Sequence, residues 1–452
     1  MSATSRQAWL GAAAVLLLGI LAYLPALNNP FIADDYAFLS LSARLQADGS
    51  ALGDFPLGAR RLLAHLFFFL CYSLFGLNPA PYYAANLLLH LANAGLVFLL
   101  VRELTGEGRV GLVAALFFVA YERHQEPLFW ISAHHELLLS LGVLAGAFFF
   151  VRFRRTGAWG YYGLALAAFA VAGFSKESFV VLAPLLVLLD WALEGRRGRR
   201  GWLVHVPFWL VSGCYLLLMR VGPWAREFYR ADYAITLHFF EVYLLSLHRL
   251  LLLVWPFLLL AGLAYRWVPG RGRFREVLRE RAGLALLGWL LLTMGPYSLV
   301  LYVDYLSSRH TYLPSVGTAG LVALLFVRGW ERAGSRNFRV AAGLLLGLCL
   351  AGNVVYLWRK DAAYLARAAP TEELIAVLNR EAAGLPASRR LILYDFPYPQ
   401  VIARGAAQFF TRVDPKRLLV RRTGDGKRVP PGSYWLRWNP RTKALEPSSP
   451  PQ

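Results

Sequence analysis

Long apolar stretches alternate with short charged gaps along most of this chain. A stretch of about 20 apolar residues is long enough to cross a hydrocarbon core about 30 Å thick as a helix. The pattern predicts about eleven membrane spans, near residues 9–27, 80–101, 109–121, 135–151, 160–174, 179–193, 203–219, 241–263, 283–300, 313–328 and 340–357. A further apolar segment, Leu62–Leu77, is predicted to be a helix lying at the membrane interface. Residues 1–357 are therefore predicted to form an all-α polytopic membrane module.

Basic residues set the predicted orientation of this module. With the N-terminus inside, the inner gaps hold about 20 Lys and Arg, against about ten in the outer loops, as the positive-inside rule expects. The same rule accounts for the net charge of +20. No nucleic-acid partner is expected, because these gaps lack the interleaved basic and aromatic residues of single-strand binding. If Leu62–Leu77 were counted as a span, the gap "EGRRGRRG" (Glu194–Gly201) would lie outside, and the excess of Lys and Arg in the inner gaps would be lost.

The composition supports a membrane protein and argues against a thiol-based site. Charged residues make up 16% of the chain and apolar residues 57%, whereas soluble domains carry about 25% charged residues. The three cysteines, Cys71, Cys214 and Cys349, lie in separate apolar stretches. A disulfide framework or a metal–thiolate site is therefore not expected.

From about Trp358 the composition becomes that of a soluble protein, and the number of spans places this tail outside. The stretch "TEELIAVLNREAAGLP" predicts a helix with Thr371 as its N-cap. The stretches "RRLILYDFP", "KRLLVRR" and "SYWLRW" predict short strands. Residues 358–452 are therefore predicted to be a small extracytoplasmic α/β domain.

Polar side chains concentrate on the outer side of the predicted module. The outer segments are 28–61, 121–134, 175–178, 220–240 and 301–312. They hold acids, histidines and isolated basic residues, whereas the inner gaps hold mostly arginine and glycine. Because charged groups near membrane depth are costly, this asymmetry predicts a polar site at the outer membrane surface.

Two adjacent carboxylates, Asp34 and Asp35, follow the first span in "NNPFIADDYAFL". One interpretation is a cap on the helix that continues through "YAFLSLSARL". The other is chemical, because two like charges held together raise the pKa of one carboxyl and suit it to act as a general base.

The segment Tyr121–Leu141 collects imidazole and carboxylate groups, namely His124, Glu126, His134, His135 and Glu136. They could cap two helices at the interface, or bind a divalent cation or a phosphate-bearing ligand. No close metal-binding spacing occurs, so a divalent cation stays open as a cofactor. Its candidate ligands are Asp35, His124, Glu126 and Glu136.

Basic residues from separate outer loops complete the candidate site: Arg60, Arg61, Lys176 and Arg309. Each could contact lipid headgroups, but together they suit a clamp on a phosphate or diphosphate. No nucleotide-binding loop is visible. A paired carboxylate beside a phosphate clamp predicts transfer from a lipid-phosphate donor, with the cations stabilising the departing phosphate.

Motifs in the first part of the chain resemble those of a known group of membrane enzymes. The group's "N-x-F-v-x-D-D" is matched by Asn29, Phe31, Asp34 and Asp35. Its next stretch resembles "RRLLAHLFFFLCYSLFGLNPAPYYAANLLLH", where the matching residues are Arg60, Asn86 and His90. Arg61 stands where the group has Pro, and Tyr83 where it has His.

Three later motifs follow in the same order. "HQEPLFWISAHHELL" matches without a gap at His124, Glu126, Trp130 and Glu136, with His134 in place of an Arg. The "s-K-E" turn is matched by Ser175, Lys176 and Glu177. "SRHTYLPSVG" matches at Arg309, Tyr312, Pro314, Ser315 and Gly317, with Ser308 in place of an acid.

The group that the chain resembles is the GT-C-fold glycosyltransferases, specifically bacterial relatives of the transmembrane O-mannosyltransferases that act on cadherins. The resemblance implies inverting transfer of a sugar, with mannose as the candidate, from a polyprenyl-phosphate donor on the outer face of a bacterial cytoplasmic membrane. It implies Asp34 as general base, with Asp35 and Glu126 orienting the acceptor or a metal. The implied donor-phosphate residues are Arg309, Lys176, Arg60 and Arg61. The implied site-shaping or acceptor-binding residues are His124, His134, Glu136, Glu177 and Tyr312.

Two alternatives to protein glycosylation stay open. The acceptor could be a lipid or a polysaccharide, because the small C-terminal domain replaces the tetratricopeptide tail of the family. The chain could also be a transporter or flippase of lipid-linked sugars. A transporter predicts internal repeats and ionisable groups near the bilayer midplane, whereas the candidate residues here lie at the ends of spans.

Overall fold

The computed structural model describes residues 3–52, 61–193, 201–221, 237–267, 276–277, 279–299, 307–381, 384–386, 388–423 and 431–448. Up to residue 380 these residues form helices and short 3-10 turns. The helices are α1 (Ala3–Tyr23), α2 (Asp35–Ala47), α3 (Leu62–Phe75), α4 (Ala80–Thr105), α5 (Gly108–Val119), α6 (Gln125–Phe129), α7 (His134–Thr156), α8 (Trp159–Ser175), α9 (Leu182–Ala192), α10 (Val206–Val221), α11 (Leu237–Leu251), α12 (Val254–Trp267), α13 (Arg281–Ser298), α14 (Ser315–Arg332) and α15 (Arg336–Arg380).

Every predicted span falls on helical residues, and the one at 241–263 falls on two helices, α11 and α12. In the described part of the chain five helices are long and apolar enough to cross a membrane, or six if α11 and α12 count as one broken span. These two helices are bent by 51° relative to each other, so the segment predicted at 241–263 is not one straight helix. The remaining predicted spans stay predictions.

Helix α3 has 14 residues. At a rise of 1.5 Å per residue it is about 21 Å long, shorter than the hydrocarbon core. Helix α5, which was predicted to span, has only 12 residues, so length does not distinguish the two cases and the interfacial position of Leu62–Leu77 stays a prediction.

Glycines allow the central helices to approach closely and to end sharply. A Cβ built on Gly142 of α7 would lie 2.5 Å from the Ala172 backbone nitrogen of α8, so only glycine permits this contact. Gly106 and Gly157 follow α4 and α7 with φ of +76° and +72°, the left-handed conformation that commonly terminates a helix.

The last long helix does not stop where the soluble tail was predicted to start. Helix α15 runs unbroken through Leu357, the predicted end of the membrane module, to Arg380. Thr371 is buried inside it, and its hydroxyl donates to the Ala368 carbonyl at 2.8 Å. The predicted N-cap at Thr371 is therefore wrong. A proline inside a helix lacks one N–H donor and usually kinks or breaks the helix, but α15 continues through Pro370.

A small sheet follows α15 and confirms the predicted α/β character of the tail. Its strands are β1 (Leu391–Tyr394), β2 (Leu418–Arg421), β3 (Tyr434–Asn439) and β4 (Ala444–Pro447), with helix α16 (Gln400–Phe410) between β1 and β2. The strand order is β2-β1-β3-β4. Strand β1 pairs in parallel with β2 and β3, and β4 pairs antiparallel to β3.

The tail packs against the membrane module through α16 and α2. A Cβ on Gly405 would lie 2.5 Å from the Tyr36 carbonyl oxygen, so the two helices meet backbone to backbone. Helix α2 begins at Asp35. The C-terminal domain therefore lies directly beside the adjacent carboxylates.

Candidate active site

The loop that carries the two carboxylates gives them opposite environments. Ala33 has φ of +47°, a left-handed conformation that costs a non-glycine residue about 1–2 kcal/mol. Beyond this turn Asp34 is exposed, whereas Asp35 opens helix α2 and is fully buried. The two neighbours therefore cannot play the same part.

Asp35 is bound by donors of the protein itself. Its Oδ2 accepts the backbone N–H of Ile32 at 2.8 Å. Its Oδ1 accepts the backbone N–H of Ser132 at 2.8 Å and also contacts the Ser132 hydroxyl. Burial raises the pKa of Asp35 to about 7, although the hydrogen bonds from Ser132 and Ile32 act to lower it. This carboxylate ties the loop to the start of the α7 segment.

Asp34 is accessible, and its chemistry depends on a nearby cation. Partial burial by its surroundings raises the pKa of Asp34, and the guanidinium of Arg309 opposes that rise. An exposed carboxylate with a raised pKa can accept a proton from a bound molecule more readily than an ordinary aspartate.

Glu126 holds Arg309 within electrostatic reach of this carboxylate. Its Oε2 accepts the Ser307 hydroxyl at 2.7 Å and the Arg309 backbone N–H at 3.2 Å. The Arg309 guanidinium lies 3.7 Å from Glu126 Oε1 and over the Trp130 ring at 5.2 Å. The Trp130 indole N–H donates to the Ile32 carbonyl at 3.2 Å. Arg309, Trp130 and the loop before Asp34 are thus connected.

Lys176 belongs to a second buried cluster, around Glu136. The ammonium of Lys176 contacts Glu136 Oε1, and the Tyr297 hydroxyl donates to Glu136 Oε2 at 3.0 Å. His310 Nε2 is 3.9 Å from Glu136, and its ring stacks on Tyr297 at 4.8 Å. Burial lowers the pKa of Lys176 to about 8; Glu136 opposes this, while Arg61 and Arg309 lower the pKa further.

Arg61 is oriented by Glu177. Its Nε and Nη2 donate to the two carboxylate oxygens at 2.9 Å each. Burial would raise the pKa of Glu177, but Arg61 holds it at about 2. Arg60 was predicted to act beside Arg61, and it lies outside the described residues.

Three cations therefore come together from three separate elements. Burial lowers the pKa of His310, and Lys176, Arg309 and Arg61 lower it further through their charges. The imidazole thus lies within electrostatic reach of all three. Lys176, Arg61 and Arg309 were all predicted to hold the donor phosphate, and that role stays a prediction.

Three other predicted residues make internal contacts. Both ring nitrogens of His134 lie within 2.9 Å of carbonyl oxygens, those of Ile131 and Ala64. His124 Nε2 lies 2.8 Å from the Ser315 hydroxyl, and the Tyr312 hydroxyl lies 2.6 Å from His90 Nδ1. These side chains join helices around the cluster, and their roles toward an acceptor stay predictions.

The candidate metal ligands do not gather. No group of three or more His, Cys, Asp or Glu residues suited to a metal ion occurs among the residues that the structure describes. Asp35 bonds to Ser132, His124 to Ser315, Glu126 to Ser307 and Glu136 to Lys176. Their donor atoms are thus directed at separate protein partners.

Sequence reasoning assigned no role to His310, Tyr297 or Ser132. His310 follows Arg309 directly in the chain, so its position next to a predicted phosphate ligand was a usable signal. Tyr297 lies inside an apolar span and Ser132 is an ordinary loop serine, and nothing local marks either of them. Only the tertiary contacts with Glu136 and Asp35 bring them to the site.

Comparison with known proteins identifies the fold. The family described as dolichyl-phosphate-mannose-protein mannosyltransferase matches residues 60–224. The chain is similar to the structure of ArnT from Cupriavidus metallidurans bound to undecaprenyl phosphate, at 16% identity and a TM-score of 0.53. The match covers 98% of this chain and 94% of the ArnT chain. Its apo state gives the same identity and coverage with a TM-score of 0.55.

An archaeal structure is similar as well. It is the Archaeoglobus fulgidus oligosaccharyltransferase tethered with an acceptor peptide, at 12% identity and a TM-score of 0.51, covering 90% of this chain and 64% of that one. No curated protein matches the sequence. These structures are GT-C-fold glycosyltransferases. The chain has the GT-C fold, as its motifs predicted.

Proposed function

We propose that this protein is an inverting glycosyltransferase that moves a sugar from a polyprenyl-phosphate donor to a hydroxyl group on the outer face of the cytoplasmic membrane. The observation that carries the proposal is the exposed Asp34 within electrostatic reach of Arg309, which is linked through Trp130 to the loop before Asp34 and belongs to a group of three cations from separate elements. A base next to an anion-binding group is what single-displacement transfer from a phosphate ester needs.

Each residue has a definite part in the proposed reaction. Asp34 takes the proton of the acceptor hydroxyl while the acceptor oxygen bonds to the anomeric carbon. The bond from that carbon to the phosphate oxygen breaks, and the phosphate leaves with the electron pair. Arg309, Lys176 and Arg61 stabilise the charge that develops on the leaving phosphate. Glu126, Glu136 and Glu177 hold these cations in place.

A lipid-linked donor suits the position of the site. The cations lie at the ends of apolar helices, where a phosphate headgroup can reach them while its polyprenyl chain stays in the membrane. ArnT was crystallised with undecaprenyl phosphate, and its fold extends over nearly the whole of this chain, which supports the same class of carrier here.

Mannose is the first sugar to test, and a protein hydroxyl the first acceptor. Both follow from the description of the family that matches residues 60–224. The acceptor peptide of the archaeal oligosaccharyltransferase supports a protein substrate for this fold. Lipid and polysaccharide acceptors stay as alternatives.

A transporter or flippase of lipid-linked sugars is the competing function. It would move the lipid across the bilayer without breaking the phosphate–sugar bond. The ionisable residues of the site lie in turns or in the first turn of a helix, at the ends of spans rather than in their middle, and this position favours the enzyme.

Transfer by the purified protein tests the proposal. Polyprenyl-phosphate mannose is incubated with a peptide, a lipid and a glycan acceptor, using the wild type and Asp34→Asn. We expect transfer by the wild type and a loss of about 100-fold or more in the variant, the usual contribution of a general base. Transbilayer movement of the lipid without transfer would replace the enzyme with a flippase, whereas equal transfer by both proteins would remove only Asp34 from its role.

A further inference from the structure

The loop before Asp34 (residues 29–34, the base loop) is held by the membrane module on one side. The Tyr83 hydroxyl donates to the Pro30 carbonyl at 2.9 Å. The Trp130 indole N–H donates to the Ile32 carbonyl at 3.2 Å. These contacts involve helix α4 and the turn after α6, which belong to the same unit as the cation cluster.

The base loop is also held from the C-terminal side. The Asn29 amide nitrogen donates to Asp361 Oδ1 at 2.7 Å, and both side chains are buried. Asp361 lies in α15 beyond the predicted membrane module, on the helix that leads into the C-terminal domain. The hydrogen bond joins residues 332 positions apart, so only the tertiary fold creates it.

Helix α16 extends this support along α2. The Phe410 ring packs against Phe31 of the base loop at 6.4 Å and against Tyr36 at 5.9 Å. The Ser40 hydroxyl donates to Gln408 at 3.1 Å. At Gly405 the two helix backbones are too close for a side chain.

The conformation of the base loop explains why it needs support from two sides. The left-handed φ of Ala33 costs about 1–2 kcal/mol relative to a relaxed backbone. A strained turn of this kind persists only when its surroundings hold it. Here the strain has a visible result, because the turn exposes Asp34 while it buries Asp35.

We infer that the C-terminal domain is a positioning element for Asp34: Asp361 and the α16–α2 contact hold the base loop in the conformation that presents the carboxylate to the acceptor. The inference rests on the proposed function of Asp34. Asp361 and Gly405 touch no reacting group of the proposed transfer reaction. They act through Asn29, Phe31 and Tyr36 and are positioning residues.

The first experiment compares Asp361→Ala with the matched variant Asp361→Asn in the full-length protein. The asparagine keeps an oxygen that can accept the Asn29 amide, whereas alanine removes it. We expect Asp361→Ala to lower kcat about 10- to 100-fold, the scale of a reacting group misplaced by about 1 Å. We expect the KM for polyprenyl-phosphate mannose to stay within about twofold, since the phosphate cations are untouched. Asp361→Asn should retain most of the wild-type kcat.

A second pair of variants tests the helix contact. Gly405→Ala places a Cβ 2.5 Å from the Tyr36 carbonyl oxygen and must shift α2, whereas Gly347→Ala on α15 adds a Cβ in open space. We expect only Gly405→Ala to lower kcat, with a displaced acid limb in its pH profile. This pair also keeps the inference testable if Asp361→Ala does not fold.

Hydrogen exchange provides a readout that does not depend on transfer. Amides in residues 29–38 should exchange faster in Asp361→Ala than in the wild type, with Asp361→Asn close to the wild type. Unchanged exchange together with unchanged kcat would overturn the inference while leaving Asp34 as the base. A raised acceptor KM at constant kcat would also overturn it, since the domain would then bind the acceptor. Absence of transfer by the wild type would instead contradict the proposed function, whatever exchange shows.

Discussion

Asp34 and Asp35 are chemically identical neighbours, and their surroundings alone distinguish them. Asp34 is exposed and within electrostatic reach of Arg309, whereas Asp35 is buried and accepts hydrogen bonds from Ile32 and Ser132. At the residue scale, the catalytic question is therefore one of burial rather than of residue type. Leaving a buried hydrogen-bonding group without a partner costs more free energy than doing the same at an exposed position.

The first prediction concerns the stability of Asp35→Asn. The amide nitrogen of asparagine would face N–H donors that the carboxylate now satisfies. We expect a loss of about 1–3 kcal/mol in the free energy of unfolding, measured by thermal or denaturant unfolding in detergent. Asp34→Asn is the matched control and should unfold like the wild type. Equal stability of the two variants would contradict the buried role of Asp35.

The second prediction concerns Lys176 and alkaline pH. Its pKa is lowered to about 8, so the ammonium loses its charge as the pH rises through that value. We expect kcat/KM, which reports the free enzyme, to fall above pH 8. In Lys176→Arg the fall should move to higher pH, because a guanidinium stays protonated. An alkaline limb that is identical in both proteins would remove Lys176 from the phosphate site.

At the element scale, an ion pair between two helix ends holds a turn of the site in position. Arg61 at the start of α3 binds Glu177 in the turn between α8 and α9 with two hydrogen bonds. The pair orients one of the three cations and also joins α3 to the turn between α8 and α9. Sequence motifs contained both residues, but nothing in their spacing of 116 positions indicated that they would pair.

The third prediction follows from the pKa of Glu177. Its value of about 2 lies below the ordinary 4.5, so its contribution is present above pH 4.5 and is lost as the pH falls toward 2. This pKa difference corresponds to a contribution of about 3 kcal/mol to the free energy of unfolding. We expect the unfolding free energy of the wild type to fall between pH 5 and pH 3 more steeply than that of Glu177→Gln. Parallel pH dependence of the two proteins would contradict the pair.

At the scale of the whole molecule, the direction of the chain in the membrane decides whether the site can work on an outer-face acceptor. The positive-inside count predicts that the C-terminal domain and the α7–α8 gap lie on opposite sides. Both regions contain exposed positions that report their side of the membrane, Arg441 and Ala158.

The fourth prediction tests that orientation. In a background with both Cys214→Ser and Cys349→Ser, Arg441→Cys should react with a membrane-impermeant thiol reagent in spheroplasts, and Ala158→Cys should react only after the membrane is opened. Cys71 is buried and should contribute little background. Labelling in the reverse order would place the site inside and exclude an outer-face acceptor.

The sequence by itself determined the class of the protein. Apolar length, charge bias and ordered motifs are local or additive properties, so the helical membrane module, the α/β tail and the GT-C fold could all be predicted from them. The residues of the cation cluster were predicted as well, because outer polar residues stand out against an apolar chain. The limits of local patterns show at Thr371, where a helix-start signal lies inside a continuous helix whose packing overrides it.

The tertiary structure decided what depends on distance and burial. It separated Asp34 from Asp35, paired Arg61 with Glu177, and brought His310 and Tyr297 to Glu136. It also formed the hydrogen bond between Asn29 and Asp361, which links the C-terminal domain to the base loop. Burial and electrostatic environment arise from contacts between residues far apart in the chain, so a motif can name the members of a site but cannot assign their roles.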